Sequence, residues 1–169
     1  MSGVAIREAR VTDCNATSAY MAALLAEGLD VFALPDPPPT PEQQRAFIGN
    51  IIETPFAFAL LAIAGERVVG ILDFRPTVGR KRTASGSFGM SLSADYRGQG
   101  LGRKFVEAMI ERARRERPEL CRIELEVVPW NARAIRLYEA CGFKHEATKD
   151  KVVLYRGKPE ALLLMARVW

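Results

Sequence analysis

The spacing of apolar side chains predicts a series of short strands. Residues 4–11 alternate apolar and polar positions, as a half-buried strand does. Two apolar runs, 56–64 and 67–76, flank a Gly-Glu pair and therefore predict an antiparallel hairpin. Further strands are predicted over 86–93, 122–128, around 144–155 and 161–168. This order of elements predicts a mixed α/β protein.

Helical signals fall between these strands. The first helix is predicted over 16–28, with Thr12 or Asp13 as its N-cap and Gly28 as its end. A proline-rich loop then leads to a second helix that begins near Pro41. Two more helices are predicted over 101–113 and 131–142. One strand–helix–strand crossover therefore lies in the second half of the chain.

Composition restricts the class of protein. An apolar fraction of 49% with 26% charged residues is typical of a globular chain, so 1–169 is interpreted as one domain. No window is long and apolar enough for a membrane span, and the start of the chain lacks the pattern of a signal peptide. Three cysteines without a C-x-x-C unit, and His145 without metal-ligand neighbours, predict a reduced, cytoplasmic protein that binds no metal.

The net charge of +4 raises the question of a nucleic-acid partner. Basic and acidic residues alternate along most of the chain, and the densest basic run, 79–82, is equally typical of a solvated turn between strands. No binding motif and no interleaving of aromatic with basic residues accompanies the charge. We therefore expect no nucleic-acid partner, whereas a small anionic ligand would suit the same charge balance.

The stretch Tyr96–Phe105, YRGQGLGRKF, places three glycines between a predicted strand and a predicted helix. The first backbone N–H groups of a helix have no intrahelical partner, and the missing Cβ atoms would let an anion approach them. The stretch is not a P-loop, because no Gly-Lys-Ser/Thr follows at the required spacing, and the glycine spacing excludes the dinucleotide fingerprint. The stretch is therefore either an anion seat, with Arg97, Arg103 and Lys104 beside it, or a glycine-rich turn without a ligand.

Two motifs resemble the GNAT superfamily of acyl-CoA N-acyltransferases. Residues 97–102, RGQGLG, match its Arg/Gln-x-x-Gly-x-Gly/Ala signature, and residues 131–143, NARAIRLYEACGF, are similar to its Asn-x-x-Ala-x-x-Leu-Tyr-x-x-x-Gly-Phe element. The resemblance implies a GNAT-type fold: a mixed, mostly antiparallel sheet of six or seven strands. Such a sheet would be splayed at the acetyl-CoA site, beside residues 90–92, with helices on both faces.

The resemblance also implies acetyl-CoA as the acyl donor. The strand before the glycines would offer backbone groups to the pantetheine arm from Met90, Ser91 and Leu92. The pyrophosphate would lie on the turn made by Arg97, Gly98, Gln99, Gly100, Leu101 and Gly102. Asn131 shares a helix face with Tyr138, which lies about 10 Å further along. This span would let Asn131 hold an amide of the pantetheine arm while Tyr138 reaches the sulfur.

Tyr138 and Glu126 are the catalytic residues that the resemblance implies. In that superfamily a tyrosine at this position protonates the leaving thiolate. A phenol with a pKa near 10 can donate a proton to a thiolate of comparable basicity. Glu126 matches the glutamate that acts as base in ribosomal-protein alanine acetyltransferases, although a strand glutamate is ordinarily a solvated residue. Cys141 could suggest an acyl-cysteine, but its apolar surroundings favour buried packing.

The resemblance therefore implies an N-acetyltransferase that acts on a primary amine of a small molecule, an amino acid or related amine, by direct attack in a ternary complex. Two alternatives stay open: an enzyme of the same fold that acetylates a protein N-terminus or lysine, and a non-catalytic acyl-CoA-binding regulator. A homodimer is an expectation from the family. The first two helices and the loop 34–41 are expected to form one wall of the acceptor pocket. Asp36 would meet an ammonium group there, or the loop is only a stiff connection.

Overall fold

One twisted sheet organises the structure, a computed structural model that describes residues 3–28, 37–77 and 84–169. Within these residues seven strands lie in the order β1-β2-β3-β4-β5-β7-β6. The strands are β1 (Val4–Glu8), β2 (Phe58–Ala64), β3 (Arg67–Pro76), β4 (Ser85–Leu92), β5 (Arg122–Val127), β6 (Lys144–Tyr155) and β7 (Lys158–Val168). Neighbouring strands pair antiparallel except β4 and β5, which pair parallel. The predicted mixed, mostly antiparallel fold is confirmed.

Helices cover both faces of this sheet. They are α1 (Cys14–Ala26), α2 (Pro41–Glu53), α3 (Leu101–Glu116) and α4 (Ala132–Ala140). Tyr20 and Leu24 of α1 pack with Ile48 of α2 on one face. Phe105 of α3 and Tyr138 of α4 belong to the larger apolar cluster on the opposite face. Among the helices described, none is long and apolar enough to cross a bilayer.

The two N-terminal helices begin differently. Thr40 caps α2 as the sequence allows, in a capping box with Gln43 and with Pro41 at the first helical position. Before α1 a single 3₁₀ turn intervenes, and the carboxylate of Asp13 accepts hydrogen bonds from the guanidinium of Arg7 at 2.8 Å. Asp13 therefore stands at the N-cap position without capping the helix, and α1 starts two residues before the predicted 16.

The parallel pair β4–β5 opens part-way along its length. Ser85–Ser87 pairs with Arg122–Glu124, after which β4 continues along β3 alone and β5 continues along β7 alone. The sheet is therefore split beside residues 88–92, which includes the predicted splay at 90–92. We call this opening the gap. The proposed contact of Asp36 and the basic run 79–82 lie outside the described residues.

Candidate active site

Two cavities meet at the gap from opposite faces of the sheet. The glycine-turn cavity, about 380 Å³, lies between β4, the start of α3 and α4. The second cavity, about 1080 Å³, lies on the face covered by α1 and α2. We call it the acceptor-side cavity, because the acceptor is expected beside these two helices. Met90, Ser91, Asn131 and Tyr138 line both cavities. The gap thus connects the two faces of the sheet at four residues that the sequence singled out.

The edge of β4 that faces the gap has no strand partner over 88–92 among the described residues. Every second residue of a strand directs its N–H and C=O groups toward one neighbour, and such groups are rarely left unpaired when buried. Met90 and Ser91 therefore lie on a strand edge that could bind an extended chain carrying amides. The carbonyl oxygen of Leu92 is already engaged, because it accepts a hydrogen bond from Nε of Arg97 at 2.8 Å.

The glycine turn begins helix α3 with an open N-terminus. Gly100 is the N-cap residue in the left-handed region (φ 81°), and no side chain caps the helix. Gly102 serves packing as well, since a Cβ there would lie 3.0 Å from Cδ2 of Leu137 on α4. Arg97, Gly98, Gly100 and Gly102 line the glycine-turn cavity. Two predicted members of the site do not line it: the side chain of Gln99 bonds the carbonyl of Asp95, and Leu101 is buried in the core.

The positive charges at this turn are distributed differently from the prediction. Arg97 forms a salt bridge with Glu27 at the end of α1, with an N–O distance of 2.5 Å, so much of its charge is balanced within the protein. Arg103 and Arg133 both line the cavity. Arg103 pairs with Glu107 one turn along the helix, and both side chains are largely exposed. The glycine-turn cavity therefore offers an anion the backbone amides of the turn, the side chain of Arg103 and the side chain of Arg133 from α4.

Asn131 has a structural task besides the predicted one. Its Oδ1 accepts a hydrogen bond from the backbone N–H of Ala134 at 3.2 Å and so caps α4. The side-chain NH₂ group is the part of Asn131 that could still donate to a ligand amide. Capping also fixes where α4 begins, and α4 carries Tyr138 to the gap.

Tyr138 combines a buried ring with a position at the junction of the two cavities. The ring packs nearly perpendicular to Phe88, with centroids 5.8 Å apart, and contacts Phe143. No described residue forms a hydrogen bond with its hydroxyl. Burial, with a smaller contribution from Cys141, raises the pKa of Tyr138 to about 12. The phenol is therefore protonated at neutral pH.

Glu126 lines the acceptor-side cavity at the edge of the gap. Its neighbours in the strand, Leu125 and Val127, are buried in the core, so Glu126 faces the opposite side as the alternation predicts. The side chain is 45% exposed and forms an ion pair with Lys149 of β6. This places the carboxylate in a solvated setting, paired with a cation.

Sequence reasoning missed Asp73. This residue lies in the middle of β3, lines the acceptor-side cavity and is mostly buried, with 14% of its side chain exposed. Burial raises the pKa of Asp73 above its ordinary range, against the lowering effect of Arg75. An aspartate inside an apolar strand was the available signal, because aspartate is depleted in strands.

Cys141 is buried at the end of α4, as predicted. Burial is the largest of the effects that raise the pKa of its thiol. A raised pKa disfavours the thiolate, which is the nucleophilic form of cysteine. The described residues also contain no group of three or more His, Cys, Asp or Glu side chains placed to hold a metal ion.

Comparison with known proteins gives this arrangement a context. An aminoglycoside N(6′)-acetyltransferase type 1 from Klebsiella pneumoniae is 41% identical over 56 residues, which are 33% of this chain and 27% of that protein. The matched stretch spans about half or less of the length of the curated relatives.

Solved structures match nearly the whole chain. A GNAT-family acetyltransferase from Streptococcus pneumoniae superposes with a TM-score of 0.89 at 24% identity, covering 98% of this chain and 99% of that one. The protein yncA from Salmonella typhimurium, solved with its cofactor acetyl-CoA, gives 0.82 at 20% identity, covering 98% and 93%. At these identities the likeness shows a shared fold. The model of the acetyltransferase (GNAT) family matches residues 23–143, well over half of the chain, and the chain therefore belongs to that family.

Proposed function

We propose that this protein transfers the acetyl group of acetyl-CoA to a primary amine of a small molecule, an amino acid or related amine. The observation that carries the proposal is the pair of cavities that open on opposite faces of the sheet and meet at Met90, Ser91, Asn131 and Tyr138. A thioester in one cavity and an amine in the other would meet in the gap. Because both cavities are open together, the proposed reaction is direct attack in a ternary complex.

The glycine-turn cavity fits acetyl-CoA, which supplies an activated acetyl thioester when bound. The open N-terminus of α3 would hold the pyrophosphate, with Arg103 and Arg133 adding positive charge. The unpaired edge of β4 at Met90 and Ser91 would bind the amides of the pantetheine arm. The side-chain NH₂ of Asn131 would contribute one more hydrogen bond.

Tyr138 is the proposed general acid. The residue lines both cavities, and the pKa of about 12 keeps its hydroxyl protonated over the whole physiological range. A donor positioned beside a departing thiolate contributes typically about 10²–10⁴-fold to the rate. The structure and this chemistry support the acid role and the packing role together, since the ring supplies one and the hydroxyl the other.

The acceptor is tested with a panel of amines. The aminoglycoside acetyltransferase relative supports adding aminoglycosides to the amino acids, and peptides and polyamines complete the set. We expect release of free coenzyme A thiol with at least one small amine, together with an acetylated product identified by mass spectrometry.

The alternatives give different results in the same assay. Thiol release with peptides alone would favour an enzyme that acetylates a protein N-terminus or lysine. Acetyl-CoA binding without thiol release with any amine would favour a non-catalytic regulator. A homodimer and a cytoplasmic location stay predictions, which light scattering and localisation of the tagged chain would test.

A further inference from the structure

We propose that the carboxylate of Asp73 binds the protonated amine of the acceptor and removes its proton before the attack. This inference rests on the proposed transferase function and assigns the base of that reaction to a residue on β3. The alternative base, Glu126, lies on β5 at the other side of the gap.

The position of Asp73 in the sheet is the first step of the argument. In β3, Ile71 packs in the apolar cluster under α1 and α2, and side chains two residues apart in a strand share a face. Asp73 therefore points to the same face as Ile71, where it lines the acceptor-side cavity. Among the described residues of α1 and α2, the cavity wall consists of uncharged side chains: Met21, Gln44 and Phe47.

The missing side chain at Gly89 is the second step. Gly89 of β4 lies directly opposite Asp73, and a Cβ at that position would lie 3.3 Å from Oδ1 of Asp73. Glycine thus leaves this oxygen uncovered on the side of β4. The next residue along the strand is Met90, and consecutive strand residues are about 3.3 Å apart. Asp73 therefore lies opposite the residue that precedes Met90, and Met90 is one of the four residues that line both cavities.

Burial distinguishes Asp73 from Glu126, because 14% of the Asp73 side chain is exposed against 45% of that of Glu126. Oδ2 of Asp73 pairs with Nε of Arg75 at 2.8 Å, while Oδ1 is the oxygen that faces the open space beside Gly89. Among the residues that the structure describes, the other charged ones that line the cavity are Glu124, Glu126 and Arg156. Glu124 pairs with Arg122, and Glu126 with Lys149, on side chains 39% and 45% exposed. Burial raises the pKa of Asp73, which makes it a stronger base than a solvated aspartate.

The proposed step is a single proton transfer. An alkylamine is mostly protonated at pH 7 and has no free electron pair for attack. One N–H proton of the ammonium group moves to Oδ1 of Asp73, and the nitrogen keeps the electron pair. The carboxyl group then passes this proton to water in the open cavity and is ready for the next cycle.

The test compares Asp73→Asn with Glu126→Gln, and with Glu66→Gln as a control in the exposed turn between β2 and β3. Rates of thiol release are measured with the best alkylamine of the panel and with hydroxylamine, which is neutral at pH 7. Asp73→Asn preserves the shape of the side chain, and we expect it to lower kcat/KM for the alkylamine by about 100-fold, within the range of general base catalysis. The affinity for acetyl-CoA, measured by calorimetry, should change less than threefold.

Two readouts separate a base from a merely structural residue. With hydroxylamine the loss in Asp73→Asn should shrink to a few-fold, because no proton has to be removed from an ammonium group. With the alkylamine the ratio of wild-type to variant rate should fall as the pH approaches the pKa of the amine.

The remaining outcomes contradict the proposal in distinguishable ways. If the wild type is active and the Asp73→Asn variant is equally active, Asp73 is not the base, while the transferase function stands. A loss of activity confined to Glu126→Gln assigns the base to Glu126. An equal loss with both amines makes Asp73 structural. A wild type that releases no thiol with any amine contradicts the transferase function itself.

Discussion

At the scale of single residues, Tyr138 combines observed packing with a proposed chemical role. Its ring is locked between Phe88 and Phe143, and the residue is only 7% exposed. The residue lines both cavities, and its hydroxyl forms no hydrogen bond with the described residues. A rigid ring fixes the position of the hydroxyl, so a proton donor is held in place by hydrophobic contacts.

Replacing Tyr138 with Phe should therefore remove the donor and keep the packing. We expect kcat to fall by about 10²–10⁴-fold, equivalent to roughly 3–5 kcal/mol of activation free energy. Steady-state rates with the best amine give kcat, and calorimetry should find the acetyl-CoA affinity nearly unchanged. Unchanged kcat in a variant whose chemical step is rate-limiting would make Tyr138 a packing residue alone.

The raised pKa of Tyr138 adds a pH dependence to this expectation. A phenol acts as an acid only while it is protonated. A pKa of about 12 keeps Tyr138 protonated at pH values where an ordinary tyrosine has already lost its proton. The wild-type rate should therefore show no alkaline decline from this group below about pH 10, the ordinary pKa of tyrosine. A decline between pH 8 and 9 that is absent from Tyr138→Phe would contradict this assignment of the pKa.

At the scale of elements, helix α1 supports the cofactor side of the site from the opposite face of the sheet. The hydroxyl of Tyr20 donates to Oγ of Ser91 at 2.9 Å. At the end of the helix, Glu27 accepts from the backbone N–H of Ala94 at 3.0 Å and pairs with Arg97. These contacts fix β4 and the glycine turn to α1, so the position of the turn depends on residues about 70 positions earlier in the chain.

The start of α3 gives a prediction that uses a matched pair of substitutions. Valine at position 100 would be strained, because β-branched residues disfavour φ near +81°. Asparagine and aspartate both tolerate this region, so Gly100→Asn and Gly100→Asp differ mainly in charge. We expect the aspartate variant to bind acetyl-CoA at least tenfold more weakly than the asparagine variant, because a carboxylate would face the pyrophosphate.

Calorimetry at two salt concentrations measures this difference. The gap in affinity between the two variants should narrow at higher ionic strength, since exposed charges are screened. Equal affinities in the two variants would place the pyrophosphate away from the helix N-terminus. Equal melting temperatures would show that the fold of both variants is intact.

At the scale of the whole molecule, the two cavities on opposite faces predict the kinetic mechanism. Direct attack in a ternary complex gives intersecting double-reciprocal plots, whereas an acyl-enzyme gives the parallel plots of a ping-pong mechanism. We expect intersecting lines when acetyl-CoA and amine are varied together. Cys141→Ala should keep most of the activity, because the buried thiol has a raised pKa and no proposed role. Parallel lines, or an inactive but folded Cys141→Ala variant, would contradict direct attack.

Much of this organisation was determined by the sequence itself. Alternating strands, the capping box at Thr40 and the helix signals of α3 and α4 are local, because the residues that form them are a few positions apart. The bounds of β3 and β6 agree with those predicted, while β7 begins at Lys158, three residues before the predicted start. Two motifs also indicated the family, and nine of their 19 residues line the glycine-turn cavity.

The tertiary structure decided what depends on distant partners. Glu27 engages Arg97, and no local pattern connects residues so far apart. Lys149 pairs with Glu126 only because β6 and β5 flank β7 in the sheet. Asp73 became a candidate because α1 and α2 cover its face of the sheet and Gly89 leaves space beside its Oδ1. Spacing along the chain defines the elements, but the environment of a charged side chain is set by whichever elements pack around it.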